Sequence, residues 1–272
     1  MDLTARQAEI SDLLRQEEFI TVESLAERFD ITTQTVRRDI NALCDYGQAR
    51  RKHGGIESIS TEGNLAYGTR QVLNRVAKRA IAKHAAKLIP NGSSISLGIG
   101  TTPEMVMRAL LRHKDLKIYT NNLIIAQTAS ANSTFEVNCS GGRIRSGDFD
   151  MLGSPVESFF SSYMTDFSVF GVGGVDMDGV LLDFDDEEVQ IRRVILNNSR
   201  ESLLVLDHEK FGRSAHVRGG QIQDVSKVIC DQKPPSEICK ILNDSESELI
   251  ICEKDELWVQ LKLKAYLKAG EK

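Results

Sequence analysis

No Cys-x-x-Cys pair occurs in the 272 residues. The five cysteines, Cys44, Cys139, Cys230, Cys239 and Cys252, are scattered and odd in number. That spacing argues against a zinc ribbon or a disulfide framework and fits thiols kept reduced. The five histidines form no spaced set with cysteines or carboxylates, so neither a metal site nor a cofactor is expected. No apolar run approaches the ~18 residues of a membrane span. The first stretch, MDLTARQAEISDLLRQEE, carries acids where a secretory leader would be apolar. A Lys-Asp-Glu-Leu string occupies 254–257, but that signal acts only at a C-terminus and here it is internal. A cytoplasmic chain with no membrane partner is expected. An overall basic charge is also lacking: the net charge is −5, so any surface that binds an anion must be local.

What is present suffices for a core, with 41% hydrophobic and 27% charged residues. The length suggests about two domains, at roughly 100–200 residues each. In the first, Ile10, Leu13 and Leu14 give a helical spacing, followed by an extended Phe19-Ile20. Thr21 is placed to cap a second helix, which has Glu23 in its first turn and Val22, Leu25, Ala26 and Phe29 on one side. After Asp30-Ile31, Thr32 can cap a third helix starting at Thr33. Its buried stripe is Val36, Ile40, Leu43 and Cys44. Gln34, Arg38 and Asn41 project from the opposite face, flanked by Thr35 and Arg37. Asp39 is expected to turn toward Thr35 and steady the first turn.

Two helices joined by a tight turn, the second polar and basic at its start, make a helix-turn-helix. Charge is segregated accordingly. Residues 1–30 hold Arg6, Arg15 and Arg28 against eight acids, whereas 31–55 hold Arg37, Arg38, Arg50, Arg51 and Lys52 against Asp39 and Asp45. A basic, strand-compatible segment ending at Gly54-Gly55 is expected to form a wing that grips phosphates beside the groove. Thr33, Gln34, Thr35, Arg37, Arg38, Arg51, Lys52 and His53 are the residues expected to meet double-stranded DNA. Thr32-x-x-Thr35-Val36-Arg37-Arg38-Asp39-Ile40, followed by Arg51-Lys52-His53-Gly54-Gly55, resembles the N-terminal signature of the DeoR family of bacterial transcription regulators.

Residues 57–70 are rich in Ser, Thr, Gly and Asn and read as a linker. A long amphipathic helix is expected next, through Leu73, Val76, Ala77, Ala80, Ile81, Ala85 and Leu88, ended by Pro90-Asn91-Gly92. Short β-rich runs then alternate with helical ones, which predicts an α/β domain with a largely parallel sheet. Polar and glycine residues cluster after the strands: Gly98-Ile99-Gly100-Thr101-Thr102, Thr120-Asn121-Asn122, Ser140-Gly141-Gly142-Arg143, Gly173-Gly174 and Asp207-His208-Glu209-Lys210. Ligands of open α/β sheets sit beyond the carboxyl ends of strands. Glycines let N–H groups approach an anion, and a following helix N-terminus adds positive dipole. A small phosphorylated ligand fits that set, with Lys210 as a mobile cation. The acidic run Asp183, Asp185, Asp186, Glu187 and Glu188 reads first as a helix start, with Asp183 as a possible holder of ligand hydroxyls.

Gly100-Thr101-Thr102, Thr120-Asn121, Gly141-Gly142 and Asp207-x-x-Lys210-Phe211-Gly212 resemble the effector-domain motifs of the same family, whose fold is related to ribose-phosphate isomerases and CoA transferases. The resemblance implies a phosphorylated inducer, sn-glycerol-3-phosphate first, bound through the Gly-Thr-Thr loop, the Thr-Asn loop and Lys210. The expected effector residues are thus Gly100, Thr101, Thr102, Thr120, Asn121, Asn122, Gly141, Gly142, Arg143, Asp183 and Lys210. Where the family commonly has an aspartate two residues before Gly-Thr-Thr, this chain has Gly98.

The expected architecture is a winged helix-turn-helix domain (1–57), a linker (58–70), an α/β effector domain (71–254) and a basic tail (255–272). One module covers only about 600–1,000 Å² of DNA, so a dimer or tetramer reading repeated half-sites is expected. The rival class is a sugar-phosphate isomerase or CoA-transferase-like enzyme using Glu104, Asp183 and Lys210. A transcriptional repressor is the leading expectation; the sign of regulation stays open, as does the inducer, with another phosphorylated or sulfonated sugar as the alternative.

Overall fold

The computed structural model describes residues 5–17, 19–45, 49–58 and 67–252. The expected tail, 255–272, and most of the expected linker lie outside the described residues. The chain divides into two compact units, one of Met1–Thr61, Gly68–Arg75 and Lys254–Lys272, the other of Glu62–Tyr67 and Val76–Glu253.

The first unit runs α1 (Ala5–Gln16), β1 (Phe19–Thr21), α2 (Val22–Arg28), α3 (Thr33–Asp45), β2 (Ala49–Lys52) and β3 (Gly55–Ser58). Thr21 caps α2 by accepting the Ser24 N–H at 3.0 Å, and Thr32 caps α3 by accepting the Thr35 N–H at 3.2 Å. These caps satisfy orphan donors at the helix starts, each worth about 1 kcal/mol. The strands pair antiparallel in the order β1-β3-β2. Gly54 makes the β2–β3 turn at a φ of 81°. At Gly55 a Cβ would stand 2.3 Å from the Ile20 carbonyl oxygen, so only glycine lets β1 approach. Ile10, Leu25, Val36, Ile40, Leu43 and Ile56 are buried together beneath the helices.

After β3 come α4 (Tyr67–Val72), most of which belongs to the first unit, and α5 (Arg75–Leu88). The helix expected from Leu73 to Leu88 is α5, whereas α4 begins inside the expected linker, whose residues 67–70 are helical. The two helices part at Leu73-Asn74, where Asn74 adopts a φ of 50°. Val76, expected in the buried stripe, is 44% exposed, and the buried face of α5 is Lys78, Ala80, Ile81, Ala82, Ala85 and Ala86. Next come β4 (Ser94–Leu97), α6 (Thr101–Leu110), β5 (Lys117–Thr120), α7 (Leu123–Ala129) and β6 (Glu136–Cys139). A hairpin of β7 (Ile144–Arg145) and β8 (Asp150–Met151) leads to α8 (Ser154–Ser161) and β9 (Thr165–Phe170). The rest is β10 (Gly174–Val175), β11 (Val180–Asp183), α9 (Asp186–Asn197), β12 (Ser199–Val205), β13 (Val217–Gln221), β14 (Lys227–Cys230), α10 (Ser236–Asn243) and β15 (Glu248–Ile251).

Seven strands form a sheet in the order β15-β14-β12-β9-β4-β5-β6, every pairing parallel. A parallel sheet needs cover on both faces, and alternation along the strands supplies it. Ile118, Val169, Leu203 and Val205 join the cluster lined by α5, α6 and α7. Their neighbours point the other way: Tyr119 packs with α8 and α9, and Phe170, Leu204 and Leu206 pack with α10. A small antiparallel sheet, β10-β11-β13, caps the carboxyl side. Among the described residues no helix is long and apolar enough to cross a membrane.

The order of the sheet also fixes where a ligand can enter. From β4 the chain proceeds outward through β5 to β6, then returns to β9 on the other side of β4 and proceeds outward to β15. The switch point lies between β4 and β9, and the crevice beyond their carboxyl ends is where doubly wound sheets take ligands.

Candidate functional site

In the first unit the exposed face of α3 carries Thr33, Gln34, Arg37, Arg38 and Asn41. Thr35 is half-buried, and its hydroxyl meets that of Thr32 at 3.0 Å. Asp39 does not turn toward Thr35. It is 4% exposed and accepts from Arg6 Nε at 2.7 Å and Gln7 Nε2 at 3.0 Å, fastening α3 to α1. The reason is rotational: Asp39 lies three residues after Val36 and four before Leu43, in the buried stripe.

On the wing, Arg51 donates to Asn41 Oδ1, which joins β2 to the outer face of α3. Glu57, opposite Arg50 across the ladder, takes Arg50 at 2.6 Å and Lys52 at 2.9 Å. The hydrogen bonds from Lys52 and Arg50 hold its carboxyl below the usual range. Lys52 also lies 5.8 Å from the Phe19 ring centre, and His53 is exposed. One acid thus offsets part of the wing's positive charge.

In the second unit the switch-point crevice is walled by the loop after β4 and the loop after β9. Gly98 N–H donates to the Val169 carbonyl at 2.9 Å, and a Cβ on Gly171 would lie 3.7 Å from the Pro103 ring, so the two loops touch. Gly100, at a φ of 120°, opens α6 without a side-chain cap, leaving the helix dipole for another partner. Thr101 and Thr102 are buried in its first turn. Lys78, which the sequence reading did not single out, reaches the same turn from α5. It is 3% exposed and donates to Thr101 Oγ1 at 3.1 Å. Its position three and four residues before Ile81 and Ala82 is a charge inside an apolar stripe, a signal that was available in the sequence.

Beyond β12, Asp207 caps a short turn that presents Lys210. Lys210 Nζ lies 3.4 Å from the Gly173 carbonyl oxygen, and Arg213 Nη1 donates to the same oxygen at 3.1 Å. The N–H of Gly173 donates at 2.6 Å to Asp183 Oδ1, whose other oxygen pairs with Arg192. Both charges are buried, and a Cβ on Gly219 would stand 1.7 Å from Arg192 Nη2. Asp183 is thus engaged by protein on both oxygens, shaping the Gly173 loop that Lys210 and Arg213 touch.

The other strand ends divide their work. Thr120 Oγ1 accepts the Asn122 N–H, and Asn122 Oδ1 caps α7 through Ile124 and Ile125. Asn121 is fully buried, donates to the Met151 carbonyl at 2.7 Å, and among the described residues its Oδ1 has no donor. Gly141, Gly142 and Arg143 are exposed after β6, the edge strand. They sit two strands, about 10 Å, from the switch point.

Charge is concentrated beside this rim. Arg145 of the hairpin meets Asp150 at 2.8 Å, Glu188 at 2.5 Å and Asp185 at 3.3 Å, tying β7 to the first turn of α9. Burial pushes the Glu188 carboxyl up to about 7, against the pull of Arg145. His208 Nδ1 lies 2.8 Å from Asp231, and that hydrogen bond raises its pKa above the ordinary value. Glu104, a candidate acid in the enzyme reading, is 3% exposed and accepts from Tyr67 and Arg108. Among the described residues no cluster of His, Cys, Asp and Glu could hold a metal ion.

Comparison with known proteins agrees with this two-part plan. Residues 6–62 match a DeoR-like helix-turn-helix domain, and residues 73–232 match the DeoR C-terminal sensor domain. The chain is 40% identical over 252 residues, 93% of its length and 100% of the relative's, to the glycerol-3-phosphate regulon repressor of Escherichia coli K12. It is 37% identical over 250 residues, 92% of this chain and 96% of the relative, to the HTH-type transcriptional repressor CsqR of the same organism. Among solved structures, ribose 5-phosphate isomerase from Plasmodium falciparum aligns at a TM-score of 0.36 and 15% identity, covering 49% of this chain and 52% of that one. Its helix-turn-helix, its sensor domain and near full-length relatives place this chain in the DeoR family of transcriptional regulators.

Proposed function

We propose that the protein is a transcriptional repressor of carbohydrate or polyol catabolism genes, released from its operator by a phosphorylated metabolite, with sn-glycerol-3-phosphate the first candidate. The observation that carries the effector half is Lys78, buried beneath the uncapped first turn of α6 at the switch point. A buried ammonium beside a helix N-terminus suits a phosphoryl group. In this reading Lys78, Thr101, Thr102 and the Gly100 loop take the phosphate from one wall, and Lys210 takes it from the other. Asn121 Oδ1 accepts from a ligand hydroxyl. Gly141, Gly142 and Arg143 contribute at the far end of the rim.

In the same reading Gln34, Arg38 and Thr33 meet base edges. Arg37, Arg51, Lys52 and His53 hold phosphates. Two or four copies read repeated half-sites. Catalysis has no part in it, because Asp183 and Glu104, the candidate acids, are engaged by Arg192, Gly173, Tyr67 and Arg108. The names of the relatives support both the repressor role and the choice of first ligand.

The test is calorimetry with a panel of triose, polyol and hexose phosphates, paired with a gel shift on promoter DNA beside the gene. Binding of one phosphorylated ligand, with release of the shifted band, is expected. A protein that binds DNA but no member of the panel would overturn the effector assignment.

A further inference from the structure

The first turn of α6 is bonded on two sides by the segment that follows the wing. Lys78 of α5 reaches Thr101. Tyr67, the first residue of α4, gives its hydroxyl hydrogen to Glu104 Oε2, one helical turn after Thr101. Glu104 is 3% exposed, and its second oxygen is taken by Arg108 Nη2 at 2.7 Å and Nε at 3.1 Å. The Tyr67 ring meets Phe149 edge-on, centres 6.1 Å apart. Phe149 belongs to the β7–β8 hairpin, and its carbonyl accepts the Leu123 N–H at 2.9 Å, beside Asn121 and Asn122. One tyrosine, at the start of the chain's return from the DNA-binding unit, therefore touches both the Gly-Thr-Thr turn and the hairpin along the Thr-Asn loop.

We propose that Tyr67 is the positioning residue that couples the effector site to DNA binding, acting through its hydrogen bond to Glu104. This rests on the reading that the α6 turn and the Thr-Asn loop hold the effector. The physical ground is that Glu104 is a buried carboxylate in the same turn whose amides face the anion. A shift of that turn cannot leave Glu104 in place, and Tyr67, hydrogen-bonded to Glu104, is the first residue of α4. Coupling between two sites is a free energy shared by both, so operator binding must act back on the same turn.

The test uses the full-length protein with Tyr67→Phe, which keeps the ring against Phe149 and removes only the hydroxyl. Operator affinity is followed by fluorescence anisotropy with and without sn-glycerol-3-phosphate, and ligand affinity by calorimetry. The wild type is expected to show a coupling of about 5–150-fold. Y67F is expected to bind operator and ligand each within about twofold of wild type, with its coupling cut to about twofold or less. Glu104→Gln, which still offers an acceptor to Tyr67, is expected to keep most of the coupling, a rescue that a merely structural role would not produce. Unchanged coupling in Y67F overturns the proposal, as does loss of ligand binding, which would make Tyr67 part of the site.

A second measurement needs no effector. Amide hydrogen exchange at Thr102 and Glu104 is expected to change when the wild type binds operator and to stay unchanged in Y67F. If the wild type ignores sn-glycerol-3-phosphate yet shows this exchange difference, the choice of ligand fails and the coupling role stands. An equal change in both proteins refutes the coupling role whatever the ligand.

Discussion

Asp39 directly follows the paired arginines of the reading helix, yet its geometry gives it a folding role. Its carboxylate is buried and meets Arg6 Nε at 2.7 Å and Gln7 Nε2 at 3.0 Å. A charge-assisted hydrogen bond contributes about 1.5–3 kcal/mol and a neutral one about 1. The Arg6 side chain is 36% exposed, however, so solvent screening brings its share down to about 1 kcal/mol. Asp39→Ala should therefore cost about 2 kcal/mol, since the freed Arg6 and Gln7 can turn to water. Arg6→Ala is the harsher change. It leaves the carboxylate buried with one neutral donor, and breaking a pair from that side costs about 3 kcal/mol or more. The double variant should recover part of that loss, toward the Asp39→Ala value. Amide exchange of the α3 core, Val36 to Leu43, reads these free energies in the intact protein. If Asp39→Ala proves the worse single change, or if either variant loses operator affinity with α3 protection intact, the strap between α1 and α3 is not what Asp39 provides.

Other substitutions separate the roles assigned to neighbouring residues. Arg38→Ala should weaken specific operator binding by at least about 1 kcal/mol, the low end for a good base contact. Calorimetry should find its effector affinity unchanged, and unaltered operator affinity would remove Arg38 from the reading face. Lys78→Met keeps the buried stem and deletes the charge, so effector affinity should fall by about 1.5–3 kcal/mol, roughly 10–150-fold in Kd. Lys210→Ala should abolish release by a phosphorylated ligand while DNA binding persists, as read by gel shift. Glu188, raised by burial from 4.5 to about 7, favours the folded state when protonated. That contribution is full below about pH 4.5 and lost as pH rises through about 7, on the order of 3 kcal/mol at about 1.4 per pH unit. Denaturation at a series of pH values should show the decline in wild type and a flatter profile in Glu188→Gln. His208, also raised, adds a decline of the same sign above its ordinary 6.5.

Much of this protein was legible before its structure. The caps at Thr21 and Thr32, the stripe of α3, the parallel strands and the polar strand ends all follow from short-range periodicity and turn chemistry. What escaped has a common cause. Asp39, Lys78 and Arg192 each occupy a helical position that points inward among apolar neighbours. Reading charged residues as solvent-facing hides them, because their partners come from elsewhere: Arg6, Thr101 and Asp183. A charge inside an apolar stripe is a visible anomaly, although its partner is not. The two-residue strands β7, β8 and β10 carry no sequence signal for a different reason. Segments that short carry no period, and their pairing is decided by the elements around them. Within the rim, sequence named Asp183 and Asn122 as ligand groups. In the structure Asp183 is engaged by Arg192 and Gly173, and Asn122 caps α7 through local hydrogen bonds.

In the proposed mechanism a phosphoryl group at the β4–β9 switch point releases DNA gripped by α3 and the wing. That release is tested most directly by operator anisotropy titrated against sn-glycerol-3-phosphate and the wider panel, in wild type and Lys78→Met side by side. The account predicts that one phosphorylated ligand weakens the wild-type operator complex by about 5–150-fold and leaves the Lys78→Met complex bound at the same concentration. A wild type indifferent to every phosphorylated compound, or a Lys78→Met protein released as readily as wild type, would contradict it.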